Sequence, residues 1–112
     1  MRLIALLFAA FGLGACAAPV MAPSAPAVTL TPDANGLAVA PSGLRIDFDR
    51  SPAGVIAVLD RVRGRHVVLS LARCPDDMRQ QLRWGDLVLT FTDEGFVGWR
   101  QDGRMAGRVC GP

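Results

Sequence analysis

The sequence predicts an α+β fold in which one helix packs on an antiparallel sheet of about four to five strands. Apolar residues recur at helical spacing in one stretch, residues 51–64. In several other short stretches, apolar and polar residues alternate, and glycine-containing turn pairs separate these stretches. We expect residues 37–112 to form this fold as a single domain, because they are too few for more than one core.

The N-terminal residues 1–15 have the layout of a secretory signal. Arg2 is positively charged, residues 3–13 are apolar, and small residues lead to Cys16. The junction, residues 13–16, reads Leu-Gly-Ala-Cys and resembles a bacterial lipobox. This resemblance implies cleavage before Cys16, a diacylglycerol on its sulfur and an acyl chain such as palmitate on its new amino group. We therefore expect Cys16 to anchor the protein in a membrane.

Two other interpretations of the leader stay open. A transmembrane helix needs about 20 apolar residues, whereas this stretch is shorter and runs into Pro19. Ordinary signal cleavage after Ala17, at an Ala-Cys-Ala pattern, would give a soluble periplasmic or secreted protein. Lipid anchoring on the periplasmic side of the envelope is the favoured interpretation. By resemblance to other lipoproteins, Ala17 directly after the cysteine is compatible with the outer membrane.

Residues 16–36 are predicted to contain the lipidated cysteine and a flexible tether. Four prolines, at positions 19, 23, 26 and 32, are interleaved with Ala, Ser and Thr, a composition typical of extended linkers. At about 3.1 Å per residue in the polyproline conformation, the tether could hold the domain up to roughly 60 Å from the membrane. The pair Asn35-Gly36 is a strong turn signal, so we expect the folded part to begin near Leu37.

Two strands are predicted before the helix. Residues 37–39 can form a short edge strand that ends at Pro41. Residues 44–49 alternate between apolar and charged side chains, which indicates a strand with one solvated face. Asp47 and Asp49 would share that face at a distance of about 6.6–7 Å. We interpret them as solvated surface carboxylates, with a glycosidase-like carboxylate pair as the alternative.

The helix is the best-determined element of the prediction. Ser51 is a good N-cap, Pro52 suits the first helical position, and Gly64 supplies the C-terminal stop. Its apolar face is formed by Val55, Ile56, Leu59 and Val62. Since many of these residues are β-branched, the helix needs a sheet to pack on.

The remaining residues predict the rest of the sheet. Alternating or apolar patterns indicate strands at residues 67–71, 82–84, 87–92 and 96–100. Turns are expected at Gly85-Asp86 and Asp102-Gly103. Residues 93–95 are expected to form a three-residue hairpin loop in which Gly95 takes the left-handed position.

Several of these segments resemble an uncharacterised family of small bacterial secreted or lipid-anchored proteins. The resemblance lies in residues 46–64, Cys74, residues 84–91 and the closing residues 95–99, and it covers residues 37–100. It implies a small exported domain. No activity is assigned to that family, so the resemblance predicts none for this chain. The order of elements also resembles the modules of outer-membrane assembly lipoproteins and β-lactamase inhibitor proteins, which are binding modules. The Gly-Met that precedes the helix in that group is absent here and is replaced by Asp49-Arg50-Ser51.

Cys74 and Cys110 are the two cysteines left if Cys16 carries lipid. An even pair in an exported chain indicates a disulfide, which would stabilise the domain by roughly 4 kcal/mol. A reactive thiol at Cys74 with His66 as its base is the alternative. We expect no metal or other cofactor, because a metal site needs three or four ligands.

The charge balance excludes one class of partner. All 12 basic residues are arginine, against 10 acidic residues, for a net charge of +2. Such a near-neutral chain with an export signal is not expected to bind nucleic acid. The absence of lysine fits a GC-rich codon bias, and no glycine-rich phosphate loop lies between a strand and a helix.

No set of residues has the pattern of a catalytic site, so we expect a non-enzymatic binding or assembly module with an unknown envelope protein as partner. The candidate binding surface comprises Trp84, Trp99, Arg61, Arg63 and Arg65. Tryptophans in a chain with so few aromatic residues are more often core residues, and the arginines could simply stabilise the helix end or contact anionic lipid headgroups. Two alternative functions are a small hydrolase that uses His66 with Asp76 or Asp77, and a structural envelope lipoprotein.

Overall fold

The computed structural model describes Gly12, Gly14 and residues 27–112. It consists of one helix and two antiparallel sheets, of three and five strands, so the chain is a mixed α+β protein in which sheet predominates. The predictions for the leader, for Cys16 and for the tether up to residue 26 lie outside the described residues. In the described part, no helix has the length and apolar character required to cross a membrane.

The first sheet contains strands β1 (Thr29–Asp33), β2 (Gly36–Ala40) and β3 (Arg45–Asp47) in that order. The expectation that residues 29–35 belong to the tether is therefore wrong. Leu30 and Pro32 are buried in β1. Proline is tolerated here because β1 is an edge strand, where a missing N–H leaves no ladder bond unmade. The folded part begins at Thr29, ahead of the predicted start near Leu37.

Strand β3 is shorter than the alternating pattern predicted. Leu44 is 69% exposed, whereas Ile46 is buried in the core. Asp49 lies beyond the end of β3 with a positive φ of 76°. Asp47 and Asp49 therefore do not share one strand face, which corrects the sequence interpretation. The chain turns at this point because the backbone at residues 49–50 pairs with Phe96 of the other sheet.

Helix α1 spans Pro52–Arg63, as the sequence predicted, with Ser51 at the N-cap and Gly64 at the C-cap. Val55 and Leu59 are its fully buried side chains. The Ser51 side chain makes no capping hydrogen bond. The helix is thus fixed in place mainly by packing of its apolar face, as expected for a short β-branched helix.

The second sheet contains β4 (Val67–Val68), β5 (Met78–Trp84), β6 (Leu87–Thr92), β7 (Phe96–Gln101) and β8 (Arg104–Gly107), in sequence order. Strand β4 has two residues, fewer than the five predicted, and β5 starts earlier than expected. The turn at Gly85-Asp86 is confirmed.

The hairpin loop after β6 is present, but the role predicted for Gly95 is wrong. Its φ is not positive. A Cβ at this position would lie 3.0 Å from the Cα atom of Asp49, so a side chain here would force the nearby Asp49 backbone to shift.

One hydrophobic core joins the helix and both sheets. It contains Leu30, Leu37 and Ile46 from the first sheet, Val55 and Leu59 from α1, and seven residues of the second sheet: Leu82, Trp84, Leu87, Leu89, Phe91, Phe96 and Trp99. The indole N–H of Trp99 donates a 2.7 Å hydrogen bond to the carbonyl of Asp33. That bond links the end of β1 to the second sheet.

Candidate binding surface

The register of the second sheet places one residue from each strand in a single row on the face away from the helix. Neighbouring partners in this row are directly opposite each other across the ladders. The helix packs on the other face, where Leu82, Trp84 and Leu89 lie in the core. We call this set the outer-face row; its members are Val67, Arg83, Val88, Arg100 and Met105.

The outer-face row alternates apolar side chains with arginines. Val67 is 47% exposed and Met105 is 55% exposed, while Val88 is half-buried. Arg83 is exposed, and in the described part of the chain it forms no ion pair. The guanidinium of Arg100 donates only to neutral oxygens, at 3.4 Å each, on the Gln81 side chain and the Cys110 carbonyl. The row therefore carries two positive charges that no described carboxylate neutralises.

The rest of this face is covered by the C-terminal tail, residues 108–112, which follows β8. The hydroxyl of Thr90 donates to the carbonyl of Arg108, and also to that of Gly98 at 3.1 Å. A Cβ on Gly98 would overlap the Arg108 carbonyl, so only glycine allows the tail to lie this close. The outer-face row is what remains open between the tail and the hairpin turns.

The tail is attached through the cysteine pair that the sequence predicted. Cys74 and Cys110 lie at disulfide-bonding distance, with their Cα atoms 4.2 Å apart, and Cys110 is buried. The amide of Gly111 also donates to the carbonyl of Arg73 at 2.7 Å. These contacts fix the boundary of the open part of the face.

The polar cluster around His66 differs from the predicted one. Its Nδ1 lies 2.9 Å from Oδ1 of Asp60, and the same oxygen accepts a 2.9 Å hydrogen bond from the indole N–H of Trp84. The hydrogen bond with His66 is the main reason why the pKa of Asp60 is lowered. Asp77, which we considered as a partner for His66, instead accepts two hydrogen bonds from Arg108, at 2.6 and 2.8 Å. The proposed pairing of His66 with Asp76 or Asp77 is therefore not supported by the contacts.

An open cavity of about 590 Å³ lies at the end of the second sheet where the loop between β6 and β7 is found. Its charged walls are Asp49, Asp77, Arg79, Asp93, Glu94 and Arg108. Several of these charges are already paired with each other: Arg79 lies 3.3 Å from Asp93, and Arg108 binds Asp77. Within the described residues, no group of three potential metal ligands comes together, here or elsewhere.

The residues predicted to form a binding surface do not form one together. Trp84 and Trp99 are only 2% and 4% exposed, so both belong to the core and neither can be a surface anchor. Arg61, Arg63 and Arg65 are exposed, at the end of the helix and in the loop that follows it.

The sequence analysis did not identify the outer-face row. Its members lie at the solvent-side positions of period-2 strands, so the strand pattern could have indicated them singly. The row itself depends on the register between strands. Comparisons with protein-family models, with curated proteins and with solved structures found no match to this chain.

Proposed function

We propose that this protein is a lipid-anchored component of the bacterial cell envelope and that its domain is a non-enzymatic binding module. The observation that carries the binding part is the outer-face row, in which exposed apolar side chains alternate with unneutralised arginines. Apolar and arginine side chains together are typical of surfaces that bind another molecule. The anchoring part is supported by the resemblance of residues 13–16 to a lipobox.

The ordered domain suits a module held near a membrane. Strand β1 begins at Thr29, and about twelve residues separate it from Cys16, an extended length of roughly 37 Å. A domain held at this distance has a high effective concentration for partners on the same membrane. Weak contacts made by a small surface can then be sufficient, which fits the modest size of the outer-face row.

The intact mass of the protein extracted from membranes tests the anchor. A mass that corresponds to a chain starting at Cys16 with a diacylglycerol and an acyl group supports the proposal. An unmodified chain that starts at Ala18 and is released with the soluble periplasm contradicts it.

Cross-linking in intact cells, followed by membrane extraction, tests the binding module. We expect reproducible cross-linked products, with an envelope protein or with lipid, that decrease in the double variant Arg83→Gln/Arg100→Gln. The matched control is Arg50→Gln/Arg79→Gln, which removes the same charge away from the row. A wild-type protein that gives no product with either, at levels where the control proteins of the envelope do, supports a structural lipoprotein without a specific ligand.

One observation favours a small hydrolase as a second candidate. The contact between Asp60 and Nδ1 of His66 is the arrangement that orients a catalytic imidazole. The rings of His66 and Trp84 meet in an edge-to-face contact, with 5.6 Å between ring centroids. A broad hydrolase screen with His66→Ala as the control tests this candidate. Activity that is lost in His66→Ala would support the enzyme and contradict the binding module as the main function.

A further inference from the structure

We propose that the outer-face row docks on the headgroups of an anionic phospholipid membrane. This inference rests on the proposed function, because it names the envelope component that the binding module contacts. The row contacts the headgroups of the leaflet in which the lipid anchor is inserted, so that the domain lies against the bilayer instead of projecting away from it.

The chemistry of the row matches a lipid headgroup layer. Arg83 and Arg100 lie on β5 and β7 with one strand between them, so their backbones are about 10 Å apart across the sheet. A guanidinium can donate two parallel hydrogen bonds to a phosphate, and it tolerates partial desolvation better than an ammonium group. Val67 and Met105 lie at the two ends of the row, on β4 and β8, where they can enter the boundary between headgroups and acyl chains.

The position of the row on the sheet argues for a membrane over a peptide. Extended peptides bind at the edges of sheets, where unpaired backbone groups are available to them. On the face of the second sheet, the backbone groups of β5, β6 and β7 are already paired in the ladders on both sides. A flat layer of phosphates needs no backbone donors, since the two arginines supply the hydrogen bonds.

Carboxylates lie at both ends of the strands that carry the row. Asp86 and Asp102 are in the turns beside it, and Asp86 accepts a 3.1 Å hydrogen bond from the Gln101 side chain. Asp93 and Glu94 lie at the other end, where Asp93 is five positions along the chain from Val88, a distance of about 17 Å. The row itself carries only the positive charges of Arg83 and Arg100, so an anionic surface attracts it through these two side chains. The anchor keeps the domain within reach, and a lipid chain combined with a basic surface binds membranes more firmly than either alone.

The oxidation rate of Met105 can measure docking on the full-length protein. The membrane-extracted protein is reconstituted into vesicles of phosphatidylcholine alone or of phosphatidylcholine with phosphatidylglycerol. Hydrogen peroxide is added and each methionine is followed by peptide mass spectrometry. Met78, which is buried in β5, serves as the slow internal standard. Because the acyl chains hold the protein on both kinds of vesicle, any difference between them reports the docking of the domain.

We expect Met105 to oxidise roughly 25-fold more slowly on the anionic vesicles, because two arginines near an anionic surface contribute about fivefold each. The protection should disappear in Arg83→Gln/Arg100→Gln and in high salt, which screens the attraction. Arg50→Gln/Arg79→Gln, with the same change of charge away from the row, should keep it. Arg83→Gln alone, which breaks no described hydrogen bond, should lower it about fivefold.

Equal oxidation of Met105 on both vesicles overturns the proposal, as does protection that survives in Arg83→Gln/Arg100→Gln or is lost only in Arg50→Gln/Arg79→Gln. Protection that needs an added envelope protein overturns it in favour of a protein partner. Failure of the anchor itself is distinct: an unlipidated protein does not sediment with phosphatidylcholine vesicles, whatever the rate at Met105.

Discussion

The two faces of the five-stranded sheet are covered in different ways. The inner face carries large apolar side chains, including Leu89, Phe91 and Phe96, and packs against the helix and the first sheet. The outer face carries Gln81, Thr90 and Gly98, and it is covered by a tail that is held by Cys110 and by hydrogen bonds. The inner face is stabilised by burial of apolar area, and the outer face by a covalent link and a close backbone approach.

This difference explains why only the outer face has room for a binding surface. A face that must be buried to stabilise the fold cannot also be offered to a partner. The tail covers part of the outer face and leaves one row open. Four measurements can test this contrast between the two faces.

The inner face should be the most sensitive to truncation. Phe96→Ala removes a fully buried ring that contacts Phe48 and Phe91. We expect a loss of about 3–5 kcal/mol in the free energy of unfolding, measured by chemical denaturation. The control on the outer face is Val88→Ala, half-buried on the neighbouring strand, with an expected loss of less than about 1 kcal/mol. Similar losses for the two variants would remove the distinction between the faces.

Loss of the Cys74–Cys110 link to the tail should have the next largest effect on the free energy of unfolding. Cys74→Ser and Cys110→Ser should each lower the free energy of unfolding by about 4 kcal/mol, because either variant frees the same loop in the unfolded chain. The double variant should match the single ones. A wild-type melting temperature that stays unchanged in reductant would mean that the tail is not held by this bond.

The close approach of the tail can be tested with one methyl group. Gly98→Ala should destabilise the domain by about 1–3 kcal/mol, since the Cβ overlaps the Arg108 carbonyl and the tail must move. Gly54→Ala is the matched control on the helix side. Apart from the neighbouring residues and backbone of the helix itself, no atom lies within 4 Å of a Cβ there, so alanine should stabilise the helix by about 0.5–1 kcal/mol. A destabilised Gly54→Ala or a neutral Gly98→Ala would contradict the close approach of the tail to Gly98 as the reason for glycine there.

The smallest effect concerns pH and belongs to the inner side, where Asp60 joins the helix to Trp84 and His66. The pKa of Asp60 is lowered from its ordinary value of 3.8 by the hydrogen bonds from His66 and Trp84. A carboxyl whose pKa is lower in the folded state stabilises the fold above its unfolded pKa, and this contribution is lost as the pH falls through the folded pKa.

Thermal melts between neutral pH and pH 2.5 should therefore show a steeper acid loss for the wild type than for Asp60→Asn. Asp76→Asn, which removes an exposed carboxylate elsewhere, controls for the change in net charge. If the melting temperatures of the wild type and Asp60→Asn fall in parallel as the pH is lowered, the ionised Asp60 carboxylate does not stabilise the contact between the helix and the sheet.

The sequence predicted those parts of the fold whose signals are local. The helix from Pro52 to Arg63 and the turn at Gly85-Asp86 follow from capping, periodicity and turn chemistry, which need only neighbouring residues. Strand β1 was missed because Pro32 has the composition of a linker, and its burial depends on packing against residues distant in sequence.

The candidate site was less predictable than the fold for the same reason. The Cys74–Cys110 pair could be identified from the sequence because these are the two cysteines that remain when Cys16 is assigned to the lipid anchor. Trp84 and Trp99 were candidates for both core and surface, and only the register decided between these roles. Arg83 and Arg100 are separated by 17 positions in the sequence, so their common row exists only after β5, β6 and β7 have paired.

The hydrogen bond between Trp99 and the Asp33 carbonyl has a mechanical consequence. Any force that acts on the chain ahead of Thr29 enters the domain through β1, which pairs only with β2 along five residues. Under tension, this hairpin and the Trp99 contact would be loaded first, while the five-stranded sheet carries little of the pull. The first sheet can thus unfold before the second one, so that the outer-face row with Arg83 and Arg100 stays folded under tension.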